Sequence, residues 1–262
     1  MKKIFSSIKF KIIAVVLALS AITAAVAGGS IAFFTDTQES EGVFTAGNVY
    51  IELSEAAVKT DANGNLIEDT SKDRIVGAEI TADGASVVND YGVVFPGQTI
   101  HKDPTIKNTG NFKAWLAVKV IIEDGIGDIH RLYSYSDGYD DIDIEQLLTG
   151  GLLDEQVSVG EWNGIPDVCY NDRYAMIQAS SHAAGKYEFY FLMESPLESG
   201  ESVEVFDTFF INPYFGNEEM QEFVEFRITV QAFAVQEYGF SSCYEAMMNA
   251  FSEHFVSCIQ TQ

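Results

Sequence analysis

The sequence predicts a mainly β fold: an antiparallel β-sandwich with short helical insertions and a C-terminal helix. Three observations lead there: several runs alternate apolar and polar residues, Gly, Pro, Asn and Asp cluster between those runs, and an apolar stripe at helical spacing stands out near the end of the chain. Hydrophobic residues at 47%, aromatics at 13% and only five prolines supply enough material for a packed interior, so the chain folds despite its charge.

Taken in order, residues 44–53 alternate, with Val49, Ile51 and Leu53 on one face and a local bend at Gly47-Asn48. In residues 59–66, Asp61, Asn63 and Asn65 sit at alternating positions as in a calcium loop. The glycine is misplaced and the twelfth position is Lys72, so the EF-hand pattern fails. An Asn63-Gly64 turn between strands is the simpler account, and calcium binding of another kind stays open. Residues 94–110 read as a turn at Pro96-Gly97, a strand, and a second turn at Asn108 and Gly110. Residues 113–123 are the most strand-like run, with Ala114, Leu116, Val118, Val120 and Ile122 on one face and Trp115 and Lys119 on the other. Trp115 is either a packed sheet residue or a binding-face aromatic.

Residues 137–148 read as an acidic start followed by a short amphipathic helix. Asp137, Asp140, Asp141, Asp143 and Glu145 form the densest carboxylate cluster, which is either a calcium-type cation site or a solvated, dipole-matched helix N-terminus. Strands are expected at 186–193 and 202–211, joined by a hairpin-like turn. A long strand is expected at 222–236, with Val224, Phe226, Ile228, Val230, Ala232 and Ala234 on one side and a mixed, wet far face. Ser242 and Glu245 form a capping box that opens a helix with an apolar stripe of Tyr244, Met247, Met248, Phe251 and Phe255. That stripe covers either its own sandwich or a partner.

The formal net charge is −24, and all 39 acids lie after residue 32. A field of this sign repels phosphate, and no Lys/Arg cluster is present to neutralise a backbone, so nucleic acid is excluded as a partner. The three cysteines, Cys169, Cys243 and Cys258, form no C-x-x-C pair. If 243–258 were one helix, its rise of ~1.5 Å per residue would hold Cys243 and Cys258 beyond disulfide reach.

The chain opens with a basic stretch carrying Lys2, Lys3, Lys9 and Lys11, followed by an apolar run over 12–27 and the small-x-Ala pattern Ser30-Ile31-Ala32. This is the pattern of a secretory signal cut between Ala32 and Phe33. Ala25-Val26-Ala27 is a second legal site, and uncut, the uncharged stretch 12–34 is long enough to span a bilayer. The expected organisation is a signal peptide over 1–32 and one β-sandwich domain over 33–262, with a variable insertion at about 125–185. The membrane is met only transiently, during export.

Phe33-Phe34-Thr35-Asp36-Thr37, the strand opening Val43-Phe44-Thr45-Ala46-Gly47-Asn48 and the segment Phe95-Pro96-Gly97 to Lys102-Asp103 with its Asn108-x-Gly110 turn together resemble the TasA/camelysin family. The resemblance implies release by a SipW-type signal peptidase of Gram-positive bacteria and a jelly-roll-like sandwich. It also implies a secreted protein of the cell surface or biofilm matrix that polymerises into fibres. In that family the freed N-terminal segment, here Phe33, Phe34, Thr35, Asp36 and Thr37, adds a strand to the next subunit. The partners implied are the peptidase, further copies of the chain and other matrix proteins.

Two other functions compete with this one. A monomeric adhesin or carbohydrate-binding module would use an exposed Trp115 and Trp162. A camelysin-like metalloprotease would need convergent histidines, but His101, His130, His182 and His254 are scattered and no H-E-x-x-H occurs. No G-x-S-x-G elbow or P-loop is present either. The expectation is a non-enzyme with no catalytic residues and no cofactor, calcium aside.

Overall fold

The alternating runs become strands in the computed structural model, which describes residues 49–77, 85–86, 91–123, 147–154, 158–181, 186–222 and 227–255. All of these lie in the unit Gly47–Gln262. In chain order the strands are β1 (Ile51–Glu55), β2 (Val58–Thr60), β3 (Leu66–Glu68), β4 (Ile75–Val76), β5 (Ala85–Ser86), β6 (Thr99–His101), β7 (Thr105–Asn108) and β8 (Ala114–Glu123). They continue as β9 (Leu148–Thr149), β10 (Ser158–Trp162), β11 (Ile165–Tyr170), β12 (Tyr174–Ser181), β13 (Lys186–Met193), β14 (Ser202–Glu204), β15 (Thr208–Phe210) and β16 (Arg227–Gln236).

The main layer is a seven-stranded antiparallel sheet in the order β10-β11-β12-β13-β8-β16-β5. In β8, every residue from Ala114 to Ile122 is buried. A strand reads as a continuous apolar run when both of its faces are covered, and here both are. The even-numbered residues Leu116, Val118, Val120 and Ile122 enter the larger core with Phe189 and Phe191, while Trp115 and Ala117 enter a second core on the opposite face.

Facing the larger core is a second layer made of a four-stranded sheet, β14-β7-β1-β4, and a five-stranded sheet, β2-β3-β6-β15-β9. Ile51, Leu53, Ile106 and Val203 from the first and Ile100 and Phe209 from the second pack into the same cluster. The chain crosses directly between these two sheets from β1 to β2, from β3 to β4, from β6 to β7 and from β14 to β15. At the crossing, the Val205 amide donates to the Pro104 carbonyl at 3.0 Å and the Lys102 amide to the Asp207 carbonyl at 2.8 Å. The two sheets therefore meet at a bend where ladder pairing is thinned and Pro104 has no N–H to give. Gly150-Gly151 presses against this bend: with φ of 56° at Gly151, an added Cβ would sit 2.7 Å from the Glu204 carbonyl oxygen.

Several expectations are corrected at their edges. Residues 202–211 are two strands in different sheets rather than one, because the chain bends at Val205–Asp207. Glu222 ends a short helix, Asn217–Glu222, and the long strand starts at Arg227. The far face of β16 is not wet throughout: Phe233 and Val235 are buried there under the C-terminal helices. The helix expected from 243 onward breaks at Phe251 into Cys243–Ala250 and Ser252–Phe255. The stretch read as a variable insertion supplies β9 and the 3-10 helix Gly151–Asp154 to one side of the molecule and β10, β11 and β12 to the main sheet.

The turn signals work as read. Gly64 and Gly97 have φ of 89° and 77°. The Gln98 amide donates to the Phe95 carbonyl across Pro96-Gly97. Asp61 Oδ1 accepts from the amides of Asn63 and Asn65.

Candidate functional site

Where the second layer bends, backbone groups that lose ladder partners must be satisfied by side chains or carry a desolvation cost. Asp103 and Arg74 do this, and Lys102, Glu55 and Tyr91 form a buried side-chain cluster beside them. Asp103 Oδ1 accepts from the Ala56 amide at 2.7 Å, and its Oδ2 pairs with Arg74 at 2.5 Å. The same guanidinium donates to the carbonyls of Ser54 and Asp103 and to the Ser54 and Thr105 hydroxyls. Beside it, Lys102 Nζ meets Glu55 Oε1 at 2.5 Å, with side chains only 5% and 0% exposed. Tyr91 donates to the other Glu55 oxygen at 2.8 Å, and the Lys102 ammonium lies 5.4 Å from the centre of its ring. Both buried charges are thus paired and hydrogen-bonded, the condition under which burial of ions is tolerated.

This junction assigns work to the Lys102-Asp103 step that carried part of the family resemblance: the two neighbours point to opposite partners and lock β1, the lead-in to β4 and the β6–β7 crossing together. Their partners Glu55, Arg74 and Tyr91 were not singled out from sequence. The available signal was the charged pair itself, set between Ile100 and Ile106 where the alternation calls for apolar residues.

On the outer face of the five-stranded sheet, next to the junction, lies a groove of about 300 Å³ lined by Asn65, Leu66, Ile67, Glu68, Thr99, His101 and Thr208. His101 links the two features: it lines the groove, and its buried Nε2, which has no hydrogen-bond partner among the described residues, lies 3.6 Å from Asp103 Oδ2. Close by, the Glu204 carboxyl is pushed above its usual range by burial and by the charges of Asp207 and Asp103.

The opposite face of the main sheet is closed differently. Ser242 caps the helix Cys243–Ala250 by accepting from the Glu245 amide, and the Glu245 carboxylate reaches back to Ser241, one residue beyond the expected partner. The stripe lies on the chain's own sheet: Met247 and Phe255 are buried, and Phe233 meets Phe251 and Phe255 edge-to-face with ring centres 5.3 and 5.2 Å apart. Cys243 is buried, its thiol directed at the Leu116 carbonyl and its pKa pushed far up by burial, so it is not a nucleophile. Lys119 is buried on this face with Glu188 at 3.0 Å. Burial works to raise the Glu188 carboxyl, yet Lys186, Tyr190 and Lys119 together hold it below its usual range.

Of the residues nominated from sequence, Ala32, Phe33, Phe34, Thr35, Asp36 and Thr37 lie outside the described residues. So do Asp137, Asp140, Asp141, Asp143 and Glu145, together with His130, His182 and Cys258. Trp115 and Trp162 are each only 7% exposed, and the Trp162 indole N–H bonds Glu194, so neither offers a binding surface. His101 lines the groove on the five-stranded sheet, whereas His254 packs against Phe233 and Phe251 on the far face of the main sheet. Among the described residues, no group of three or more His, Cys, Asp or Glu side chains is arranged to hold a metal ion. Compared with known proteins, the chain matches no protein-family model, no curated protein and no solved structure.

Proposed function

We propose that the chain is a secreted structural protein of the cell surface or biofilm matrix, polymerising when the segment Phe33–Thr37 of one subunit adds a strand to the next. The observation that carries this reading is the outer edge of β16. This ten-residue strand pairs with β8 from Arg227 to Gln236, whereas on its other side only Ala85 and Ser86, among the described residues, pair with it. Unpaired N–H and C=O groups along an edge are a template for an incoming strand. Exchange of this kind is head-to-tail and does not close on itself, so it yields filaments.

In this reading a SipW-type signal peptidase, cutting after Ala32, frees the donor segment and so switches assembly on. The chain is not an enzyme. Its 39 acids keep filaments apart at low salt, and calcium, protons or other matrix proteins bring them together.

The test compares two purified forms, one beginning at Phe33 and one at Val43, by negative-stain microscopy and sedimentation, with and without calcium. Filaments from the longer form alone are expected. Filaments from both forms would remove the donor role of residues 33–37, and monomers throughout would overturn the reading.

A further inference from the structure

The groove on the five-stranded sheet has a composition that the fold itself does not use. Its floor is apolar, from Leu66 and the 41%-exposed Ile67. Its walls carry positioned polar groups. Thr208 donates its hydroxyl proton to Asp207 at 2.6 Å, which leaves the oxygen free to accept. Asn65 is anchored by accepting from the Thr99 amide, and its Nδ2 makes only a 3.5 Å contact to Asp61, which leaves a second N–H for the groove. Glu68 adds an exposed carboxylate, and the His101 ring forms part of the wall.

Phe210 is the residue opposite Thr99 in the β15–β6 pairing, so its ring stands on the same face, 36% exposed. The result is a shallow, pre-formed cleft at the lower end of the roughly 300 to 1,000 Å³ range of small-ligand sites. It offers several acceptors, a donor, a C–H-compatible floor and an aromatic flank.

That set of groups selects its ligand by chemistry. Anions are disfavoured, since Glu68 lines the cleft, Asp207 and Glu204 stand beside it, and the chain as a whole carries −24. A purely apolar ligand would leave the wall groups desolvated and unpaired. A ligand with alternating hydroxyls that both donate and accept, and with C–H faces for Ile67 and Phe210, satisfies all of them. We infer that the groove formed by Asn65, Ile67, Glu68, Thr99, His101 and Thr208 is a binding site for a neutral glycan. The site stands apart from the β16 edge, so it exists whether or not the chain polymerises, and it does not use Trp115 or Trp162.

The test uses the full chain with chitotriose, cellotriose and maltotriose as probes and glucose 6-phosphate as the anionic control. Saturation-transfer NMR is expected to detect at least one trisaccharide and not the phosphate. Amide shift changes in the unaltered chain are expected to centre on residues 65–68, 99–101 and 208. Glu68→Gln and Ile67→Arg alter exposed side chains and leave the fold intact. Each is expected to weaken binding by about tenfold, the scale of one lost charged hydrogen bond or a blocked cleft. Absence of transfer from all three trisaccharides, shifts centred elsewhere, or equal binding by both variants would overturn the assignment.

Discussion

The two faces of the seven-stranded sheet are sealed by opposite means. On one side, a bent second layer closes over Leu116, Val118, Val120 and Ile122, and at its bend the chain buries Glu55, Lys102, Asp103 and the Arg74 ion pair. On the other, two short helices lay Met247, Phe251 and Phe255 across Trp115, Phe233 and Val235, with a capping serine, a buried thiol and, towards one end, the Lys119–Glu188 pair as polar elements. A helix satisfies its own backbone and needs only an apolar stripe to cover a sheet. A sheet that bends cannot satisfy every backbone group, and charged side chains take over where its ladder thins. The charged junction specifies one arrangement of three crossing segments; the helical cover supplies area.

The largest effect comes from unpairing the junction. Glu55→Ala or Lys102→Ala strands a buried charge and is expected to cost about 3 to 5 kcal/mol in urea unfolding. The double change Glu55→Leu with Lys102→Met is expected to recover most of the loss; if it is as damaging as either single change, the pair's role is not electrostatic. On the helical side, Met247→Ala should cost roughly 2 to 5 kcal/mol by cavity formation, with no salt dependence. Ser242→Ala is smaller, about 1 kcal/mol, read as a lower midpoint in the same unfolding curves.

The smallest effects separate the faces by pH. The folded-state pKa of Glu204 is raised by burial, Asp207 and Asp103, so its stabilising contribution is full below its unfolded value of 4.5 and is lost as pH rises through the higher folded value. Glu204→Gln should therefore raise the melting temperature at pH 7 and leave it unchanged near pH 4. Glu188 runs the other way. Its folded pKa is held down by Lys186, Tyr190 and Lys119 against the effect of burial, so its contribution is present above 4.5 and fades as pH falls through the lower folded value. Glu188→Gln should lower the melting temperature at pH 7 and lose its effect in acid. Parallel pH profiles for the two variants would refute the assignment of these carboxylates to different surroundings.

Much of this architecture is legible in the amino-acid order. The alternation of residues 113–123 and 186–193, the Pro96-Gly97 and Asn63-Gly64 turns and the Ser242 cap all act through neighbours a few positions away, which a one-dimensional pattern records. The division of residues 202–211 between two sheets was not legible, because both halves alternate correctly and nothing local marks the bend. Within the junction, only Lys102 and Asp103 stood out, since Glu55, Arg74 and Tyr91 lie 11 to 47 positions from their partners. The groove was equally hidden: Thr99, His101 and Thr208 are unremarkable one by one, and strand pairing alone makes them neighbours.

By itself, then, the sequence determined the β class, the strand faces and the turns, because each depends on side-chain period and local backbone preference. The tertiary structure alone decided which strands pair, where the second layer bends, which charges are buried there and which outward residues converge into a groove. Those depend on contacts between distant segments, whose closeness no local pattern encodes.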